Sequence, residues 1–248
     1  MLSLVVITKN EADRIEACLR SVPFATERLV LDCGSTDGTP EVAERAGARV
    51  VRTDWPGHVA QKNRGLDLAA GPWVLSLDAD ERLSADAGRE LEAALAAPGD
   101  AVGFSFPRLS TWLGRPIRHG KWYPDRKLRC VLRGRARWSG DDPHDRLVAE
   151  GPVKPLRGDI LHAPYRDLGE HLDTIARYAR ISARSMAERG VRARRRDVVL
   201  RPPLHFVDAY LLRRGFLDGT PGFALASLGA SHVLAKWLLL WSEQREGA

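Results

Sequence analysis

Cysteine is scarce in this sequence, which has only three in 248 residues, Cys18, Cys33 and Cys130. Their number is odd, they lie far apart, and they lack the spacing of a metal-ligand set. The sequence therefore predicts neither a disulfide framework nor a structural zinc site, and it fits a reducing, cytoplasmic environment.

Long uncharged apolar segments are also lacking. The residues after Met1 run directly into a strand, without the basic start and longer apolar core of a signal peptide, so we expect none. The most apolar stretch, Phe223 to Trp241, carries Gly229, His232 and Lys236 and is a poor membrane span. It predicts a helix that is either buried or interfacial.

Acidic residues are fewer than basic ones, 32 against 38, which gives a net charge of +6 and a pI of about 9.5. The excess is mostly arginine in the second half, including Arg192–Arg196 and the pair Arg213-Arg214. This favours an anionic partner such as a sugar nucleotide, a lipid headgroup or an anionic membrane surface. No nucleic acid is expected, because no matching DNA- or RNA-binding motif is present. We expect a cytoplasmic protein, peripheral at the inner face of the cytoplasmic membrane.

Strand-like and helix-like segments alternate over the first 80 residues. Continuous apolar runs predict strands at residues 2–7, 28–32, 49–53 and 73–77. Helices are predicted between them, the first from about Glu11 with Asn10 as its N-cap and the second capped by Thr39. Alternation at this spacing predicts an α/β fold with a mostly parallel, doubly wound sheet flanked by helices.

The pattern changes after residue 100. The segments that it predicts there are strands at 101–106 and 126–132, a loop at 111–123 and a long amphipathic helix at 168–190. We therefore predict one α/β domain over residues 1–165, with halves at 1–100 and 101–165, and a helical C-terminal extension over residues 166–248.

Polar residues follow three of the predicted strands. They are Thr8, Asn10 and Glu11 after the first, Asp32, Gly34 and Ser35 after the second, and Asp78 and Asp80 after the fourth. We expect one site here, because ligands of open α/β sheets bind at the carboxyl ends of the strands. Two carboxylates one residue apart can hold a divalent cation. An Asp-rich turn without a ligand is the alternative.

Three segments carry a family resemblance, in this order and spacing: VVITKNEADRIEACLRSV, LVLDCGSTDGTPEVAERAGARVV and QKNRGLDLAAGPWVLSLDADE. Together they resemble the donor half of a family-2 glycosyltransferase of the GT-A fold, and the match covers residues 2–85. Downstream, RHGKWYPDRKLR, Pro143-His144-Asp145, ILHAPYRDL and LLRRGFLDG are similar to a narrower group, the bacterial lipopolysaccharide-core glucosyl- and heptosyltransferases. The resemblance implies inverting transfer of a hexose or heptose from a nucleotide diphosphate sugar to a lipid-linked or phosphorylated saccharide of the cell envelope.

The resemblance also implies a donor site. The residues that it assigns there are Thr8, Asn10, Glu11, Asp32, Gly34, Ser35, Lys62, Arg64 and Asp78. Asp32 would bond the base or ribose, although Cys33 stands where many relatives carry a second acid. Lys62 and Arg64 would lie near the phosphates. A turn-capping Asp32 and a solvated helix face for the two basic residues are the alternatives.

A divalent cation, Mg²⁺ or Mn²⁺, is implied under the diphosphate. Asp80 would be its main ligand, Asp78 would contact ribose or a metal-bound water as well, and His162 would be a third ligand. A histidine with a purely structural role is the alternative for His162.

Inverting transfer needs a carboxylate base that takes the proton of the acceptor hydroxyl. Asp145 is the first choice, in the position where relatives carry His-Glu, with Asp142 and Asp125 after it and His144 beside them. An Asp-Pro turn without chemistry is the alternative.

The loop before the second predicted strand of this region suits an acceptor. Trp122 could stack on a sugar face, while Arg118 and Lys121 favour a phosphorylated sugar; Asp125 follows directly. A plain basic surface loop is the alternative.

Two other functions are the alternatives to glycosyl transfer. A nucleotide-sugar-forming nucleotidyltransferase would carry a glycine-rich phosphate loop after the first strand, where this chain has TKNEADRIE. A non-catalytic membrane or scaffold module of the same fold would lack the carboxylates, yet Asp32, Asp78 and Asp80 are all present.

Overall fold

The apolar runs of the first 80 residues form parallel strands, as their continuous hydrophobicity predicts. The computed structural model describes residues 1–140 and 145–246. Its first strands are β1 (Leu2–Thr8), β2 (Glu27–Asp32), β3 (Arg49–Arg52) and β4 (Trp73–Asp78). The helices that connect them are α1 (Ile15–Arg20), α2 (Thr39–Arg45) and α3 (His58–Leu68). The strands pair in the order β3-β2-β1-β4, so each crossover passes through a helix.

Both helix starts differ from the sequence prediction. Helix α1 begins at Ile15 and not near Glu11, because Asn10 takes a left-handed backbone conformation (φ 58°) and uses its side-chain oxygen to accept from the Thr36 backbone N–H. Thr39 is the first residue of α2, and the N-cap position is Gly38. Asn10 therefore ties two loops together instead of capping a helix.

The sheet continues with antiparallel strands and is mixed as a whole. The remaining strands are β5 (Glu81–Leu83), β6 (Gly103–Trp112), β7 (Arg115–Pro116), β8 (Asp125–Leu132), β9 (Ala136–Ser139), β10 (Arg146–Ala149), β11 (Val153–Pro155) and β12 (Ile160–His162). Beyond β4 the order is β8-β6-β12-β5, β11 joins β6, and β9 and β10 form a separate hairpin. The predicted loop at 111–123 thus includes the end of β6 and the short strand β7.

Helices cover both faces of this sheet, which confirms the predicted α/β class. On one face Ile15 and Leu19 of α1 and Leu91 of α4 (Ala85–Ala96) pack on the strands. On the other face Leu66 of α3 and Trp138 of β9 do so. The strands are thus packed between apolar layers on both faces of the sheet.

The chain divides into two units. The first comprises Met1–Arg108 and Asp125–His162, and the second comprises Leu109–Pro124 and the residues from Ala163 onward. The sequence predicted a single cut after residue 165 and left 109–124 with the α/β domain. Within the second unit, Trp112 and Ile117 pack against Leu225, which is why this segment groups with the helices.

The second unit is helical. Its elements are α5 (Leu168–Glu188), α6 (Arg195–Val207), a π-helical turn (Asp208–Leu212), a 3-10 turn (Gly215–Asp218) and α7 (Gly219–Glu246). The side chain of Asp167 caps α5 by accepting from the Glu170 backbone N–H. Ala183 and Met186 of α5 pack on Val233, Trp237 and Leu240 of α7.

One helical stretch among the described residues, Gly215–Arg245, is long and apolar enough to cross a membrane by length and composition alone. Core helices of soluble proteins pass the same test, and 28% of its most apolar window is buried within the chain. The finding leaves the buried and the interfacial interpretation of this stretch both open.

Candidate active site

The strand register brings the predicted polar residues to one edge of the sheet. Thr8 pairs with Asp32 across β1 and β2, and Ile7 pairs with Asp78 across β1 and β4. The Oγ1 atom of Thr8 is buried and has no hydrogen-bond partner among the described residues. Three strand ends therefore meet at the same level, as the sequence predicted.

Asp78, the last residue of β4, lies between two basic side chains. Its Oδ1 is 3.1 Å from Nζ of Lys62, and its Oδ2 accepts a 2.8 Å hydrogen bond from Arg129. Removal from water would raise the pKa of Asp78, but the charges of Lys62 and Arg129 outweigh this and hold the pKa far below its usual range. The structure pairs Asp78 with protein cations, whereas the sequence predicted an open metal or ribose ligand.

Glu81, which follows Asp78 by three residues, contacts both Asp78 and Arg129. It is fully buried; its Oε2 accepts from the Asp78 backbone N–H at 3.1 Å, and its Oε1 lies 2.7 Å from Arg129 and 3.1 Å from Arg108. Burial would lower the pKa of Arg129, but Glu81 and Asp78 raise it further than burial lowers it. The floor of the site is a closed network of paired charges.

Asp125 belongs to the same network. Its Oδ2 accepts from Arg108 at 2.6 Å, and its Oδ1 lies 3.0 Å from Lys127. Burial would raise the pKa of Asp125, but these two cations lower it on balance. The residue that the sequence placed on the acceptor, or as a reserve base, has two protein partners.

Asp145 is held beside α3. Its Oδ2 accepts a 2.8 Å hydrogen bond from Lys62, and its side chain is only 12% exposed. Lys62 in turn lies over the ring of Trp138, 4.4 Å from its centroid. Asn63 fixes Trp138 through two 2.9 Å hydrogen bonds to its backbone. Lys62 thus bridges Asp145 and Asp78. Its predicted place near the phosphates of a donor stays a prediction.

Asp142 and His144 lie outside the described residues, so these two candidates for the chemistry are without a structural description.

Asp80 and His162 come together, as predicted. The Oδ2 of Asp80 is 3.3 Å from Nε2 of His162, and the two side chains are 21% and 14% exposed. Antiparallel pairing of β12 with β5 sets His162 opposite Glu81, which brings it next to Asp80. Among the described residues no group of three His, Cys, Asp or Glu side chains is arranged to hold a metal ion. Asp78 as a further ligand of the same ion stays a prediction.

The loop after β2 is built around Asp32. The carboxylate accepts from the backbone N–H groups of Gly34 and Ser35 at 3.1 Å and from the Ser35 hydroxyl at 2.5 Å, and the residue is 2% exposed. This is the turn-capping arrangement that the sequence left as the alternative. The Glu11 backbone N–H donates to the hydroxyl of Thr39, which joins this loop to the one after β1.

Arg64 lies near the carboxyl ends of β2 and β3. Its guanidinium donates to Asp54, two residues past β3, at 2.8 Å and to the buried Gln61 at 3.1 Å. The side chain is 35% exposed, and its place in the donor site stays a prediction.

The other acceptor candidates lie in the helical unit. The backbone N–H of Arg118 donates to Asp218, and Nζ of Lys121 is 2.8 Å from Asp208. The ring of Trp122 lies 6.3 Å from that of Tyr165. The ammonium group of Lys121 thus has an acidic neighbour, whereas Arg118 is exposed and contacts Asp218 through its backbone.

Sequence reasoning missed the residues that hold the site together. Trp138 and Arg108 lay in no quoted motif, and Asn63 and Arg129 lay within quoted motifs but were given no role. Arg129 lies in the middle of a predicted strand, where an arginine between Leu128 and Cys130 would have been the one available signal of a buried ion pair.

Replacement of Arg129 by Met should destabilise the first unit, because Glu81 and Asp78 would lose a buried partner. We expect the free energy of unfolding to fall by roughly 3–5 kcal/mol, as measured by urea denaturation. Arg137→Met is the matched control, since Arg137 is 60% exposed and its pair with Asp67 should contribute only about 0–1 kcal/mol. Equal losses in the two variants would contradict a buried network.

A mixed sheet with a parallel first half, helices on both faces and acidic residues at the carboxyl strand ends has the architecture of the GT-A fold. The model of the family Glycosyl transferase family 2 matches residues 3–146, and the chain belongs to this family.

Relatives and solved structures agree with this assignment. The lipopolysaccharide core biosynthesis glycosyltransferase LpsC of Rhizobium meliloti (strain 1021) is 30% identical over 239 residues, which cover 94% of this chain and 88% of that protein. An uncharacterized glycosyltransferase of Rickettsia typhi is 25% identical and covers 90% of this chain and 80% of its own. The mannosyltransferase PcManGT of Pyrobaculum calidifontis, solved with GDP-Man and Mn²⁺, has a TM-score of 0.55 at 18% identity over 98% of this chain and 87% of its own.

Proposed function

We propose that this protein is an inverting, divalent-metal-dependent glycosyltransferase. It transfers a hexose or heptose from a nucleotide diphosphate sugar to a lipid-linked or phosphorylated saccharide of the lipopolysaccharide-core type. The relative LpsC, which matches nearly the whole chain, is named for lipopolysaccharide core biosynthesis. The observation that carries the proposal is the pairing of Asp80 with His162 and of Asp145 with Lys62 in one unit.

The metal would be held by Asp80 and His162. A carboxylate oxygen and an imidazole nitrogen at 3.3 Å fit Mn²⁺, and fit Mg²⁺ through the carboxylate, with the remaining positions left for water and diphosphate oxygens. When bound, the cation supplies positive charge to the diphosphate as it leaves. Asp78 stays paired with Lys62 and Arg129, and these ion pairs fix the end of β4 two residues before Asp80.

Asp145 would be the base. It takes the proton from the acceptor hydroxyl while that oxygen bonds to the anomeric carbon and the bond to the diphosphate oxygen breaks, which inverts the configuration. Lys62 supports this role because its ammonium group orients the carboxylate at 2.8 Å. Asn63, through its two bonds to Trp138, keeps the β9–β10 hairpin against α3.

A donor screen tests the proposal. UDP-, GDP-, ADP- and dTDP-sugars are incubated with the full chain and Mn²⁺, and slow hydrolysis of one class of donor is expected. The anomeric configuration of the product, read by NMR, should be inverted once an acceptor is found. Absence of turnover and of nucleotide binding for all four classes would contradict an enzymatic role.

We further propose peripheral attachment to the inner face of the cytoplasmic membrane, through the surface that runs from α6 to the start of α7. The exposed apolar side chains on it are Val199, Leu200, Leu204, Leu211, Leu212, Phe216, Leu217 and Phe223. Arg213 and Arg214 are exposed in the same stretch. Apolar residues that insert and arginines that meet anionic headgroups are the features of an interfacial anchor.

The double variant Arg213→Glu, Arg214→Glu should release the protein from vesicles that contain anionic lipid. Each basic residue near such a surface contributes on the order of 1 kcal/mol, and salt screens this attraction. Co-sedimentation at low salt, and its loss at high salt, measures the effect. The pair Arg180→Glu, Arg184→Glu on α5 changes the net charge equally and serves as the control. Equal release by both pairs, or no vesicle binding by the unmodified chain, would refute the surface.

A further inference from the structure

A cavity of about 250 Å³ lies within the helical unit and is separate from the strand-end site. Lys121, Trp122, His205 and His232 are on its wall. A second cavity of about 160 Å³ adjoins it, because the two share Trp122, His232 and Gly229, and this one is lined by aromatic residues including Tyr165.

The first cavity has basic side chains on its wall, and two of them have carboxylate partners: His119 lies 2.9 Å from Asp218, and Lys121 contacts Asp208. Nζ of Lys121 lies 3.3 Å from Nδ1 of His205 and 2.8 Å from Asp208, which also pairs with Arg213. Burial, then the charge of Lys121, lowers the pKa of His205, and the charge of Lys236 contributes as well. One carboxylate thus serves two cations on this side of the cavity.

Lys236 is the unusual member of this group. It is half-buried, and no carboxylate among the described residues pairs with it. Burial, then the charges of Arg201 and Lys121, lowers its pKa. A half-buried ammonium group beside other cations destabilises the fold unless an anion completes the arrangement. The group is therefore complementary to an anionic ligand.

The second cavity has the character of a sugar site. Tyr165 stacks on His171 with ring centroids 4.0 Å apart, and Trp122 lies 6.3 Å from Tyr165. Such aromatic faces pack against the apolar side of a sugar ring. Gly229 lets the His205 ring pack closely against α7, because a Cβ atom there would lie 2.7 Å from Nε2 of His205.

We propose that these adjoining cavities bind a phosphorylated saccharide, with its phosphate group at Lys121 and His205 and its sugar ring at Trp122. Lys236 adds positive charge behind the phosphate position. Binding of a phosphorylated saccharide here does not depend on the proposed function. That this saccharide is the acceptor of the transfer reaction rests on the proposed function. It extends the acceptor residues expected from the sequence to His205 and Lys236.

The test uses the full chain and calorimetric titration with glucose 6-phosphate, inorganic phosphate and glucose. Glucose 6-phosphate should bind more tightly than either of the other two. Lys121→Met should weaken it roughly 10- to 100-fold, as expected for loss of one charge-assisted hydrogen bond. Lys154→Met is the matched control, since Lys154 pairs with Asp100 at the surface of the first unit. Equal affinity of glucose and glucose 6-phosphate, or equal affinity in both variants, would overturn the proposal.

The melting temperature of Lys236→Met distinguishes a lysine that contributes to an anion site from a lysine that only stabilises the fold. Removal of an unpaired, half-buried charge should raise the melting temperature of the free protein and reduce the rise that glucose 6-phosphate produces. A lower melting temperature with an unchanged ligand-induced rise would contradict the anionic site. Vesicles of phosphatidic acid form a separate arm: binding that depends on Lys121, without binding of glucose 6-phosphate, would replace the saccharide by a lipid phosphate.

The same protein sample separates this proposal from the proposed function. Glucose 6-phosphate binding without turnover of any nucleotide sugar would overturn the proposed function and leave the cavity site standing. Turnover of a donor, together with glucose 6-phosphate binding that Lys121→Met does not change, would overturn the cavity site and leave the proposed function standing.

Discussion

Asp145→Asn is expected to abolish glycosyl transfer while the protein still binds its donor. The amide cannot take the acceptor proton, and loss of a general base slows a reaction by roughly 10²–10⁴-fold. The fold should persist, because the Asn oxygen can still accept from Lys62, and Lys62 keeps its contact with Asp78. Single-turnover transfer rates and calorimetric titration of the nucleotide separate the two effects.

Asp125→Asn is the comparison that assigns the base. Asp125 already pairs with Arg108 and Lys127, so its substitution should affect stability more than the rate of transfer. An active Asp145→Asn together with an inactive Asp125→Asn or Asp142→Asn would move the base to another carboxylate. Activity in all three variants would refute single displacement with a carboxylate base.

Chelation should abolish turnover, and added Mn²⁺ or Mg²⁺ should restore it. Asp80→Asn is expected to lose activity by several orders of magnitude at an unchanged melting temperature, because the only ion pair of Asp80 in the described residues is with His162. A metal-dependent rise in melting temperature, present in the unmodified chain and absent in Asp80→Asn, gives a readout that does not depend on turnover.

Asp86→Asn is the matched control for this experiment. Asp86 is an exposed acid on α4 that pairs with Arg89, so its loss should change neither activity nor the effect of metal. Full turnover in excess chelator would overturn metal dependence and would leave basic side chains such as Lys62 and Arg64 to balance the charge of the diphosphate.

Local pattern was sufficient for the first half of the fold. The predicted strands at 2–7, 28–32 and 73–77 became the largely buried strands β1, β2 and β4, and Pro40 and Gly47 lie at the start and just past the end of α2 as helix punctuation requires. The order of the strand-end motifs along the chain was sufficient to recognise the family. The resemblance also implied Asp80 and His162 as ligands of one metal ion; the structure has the two side chains 3.3 Å apart, and their role as ligands stays a prediction.

Partners at long sequence distance escaped prediction. Lys62 was assigned to phosphates and Asp78 to a metal, yet each is the other's ion-pair partner, and Arg129 reaches Asp78 from 51 residues away. Sequence shows which residues carry charge but not how deeply each is buried. Burial decides the pairing, because a charge removed from water is tolerated only beside an opposite one.

By itself, then, the sequence determined the α/β sheet, the edge at which the acidic residues lie and the membership in Glycosyl transferase family 2, because these follow from short-range periodicity and ordered motifs. Only the tertiary structure decided that Asp32 caps its own turn, that Lys62 bridges Asp78 and Asp145, and that Leu109–Pro124 groups with the helices. The physical reason is that hydrogen bonds and ion pairs in a buried site form between whichever groups packing brings within about 3 Å, and packing is a property of the whole chain.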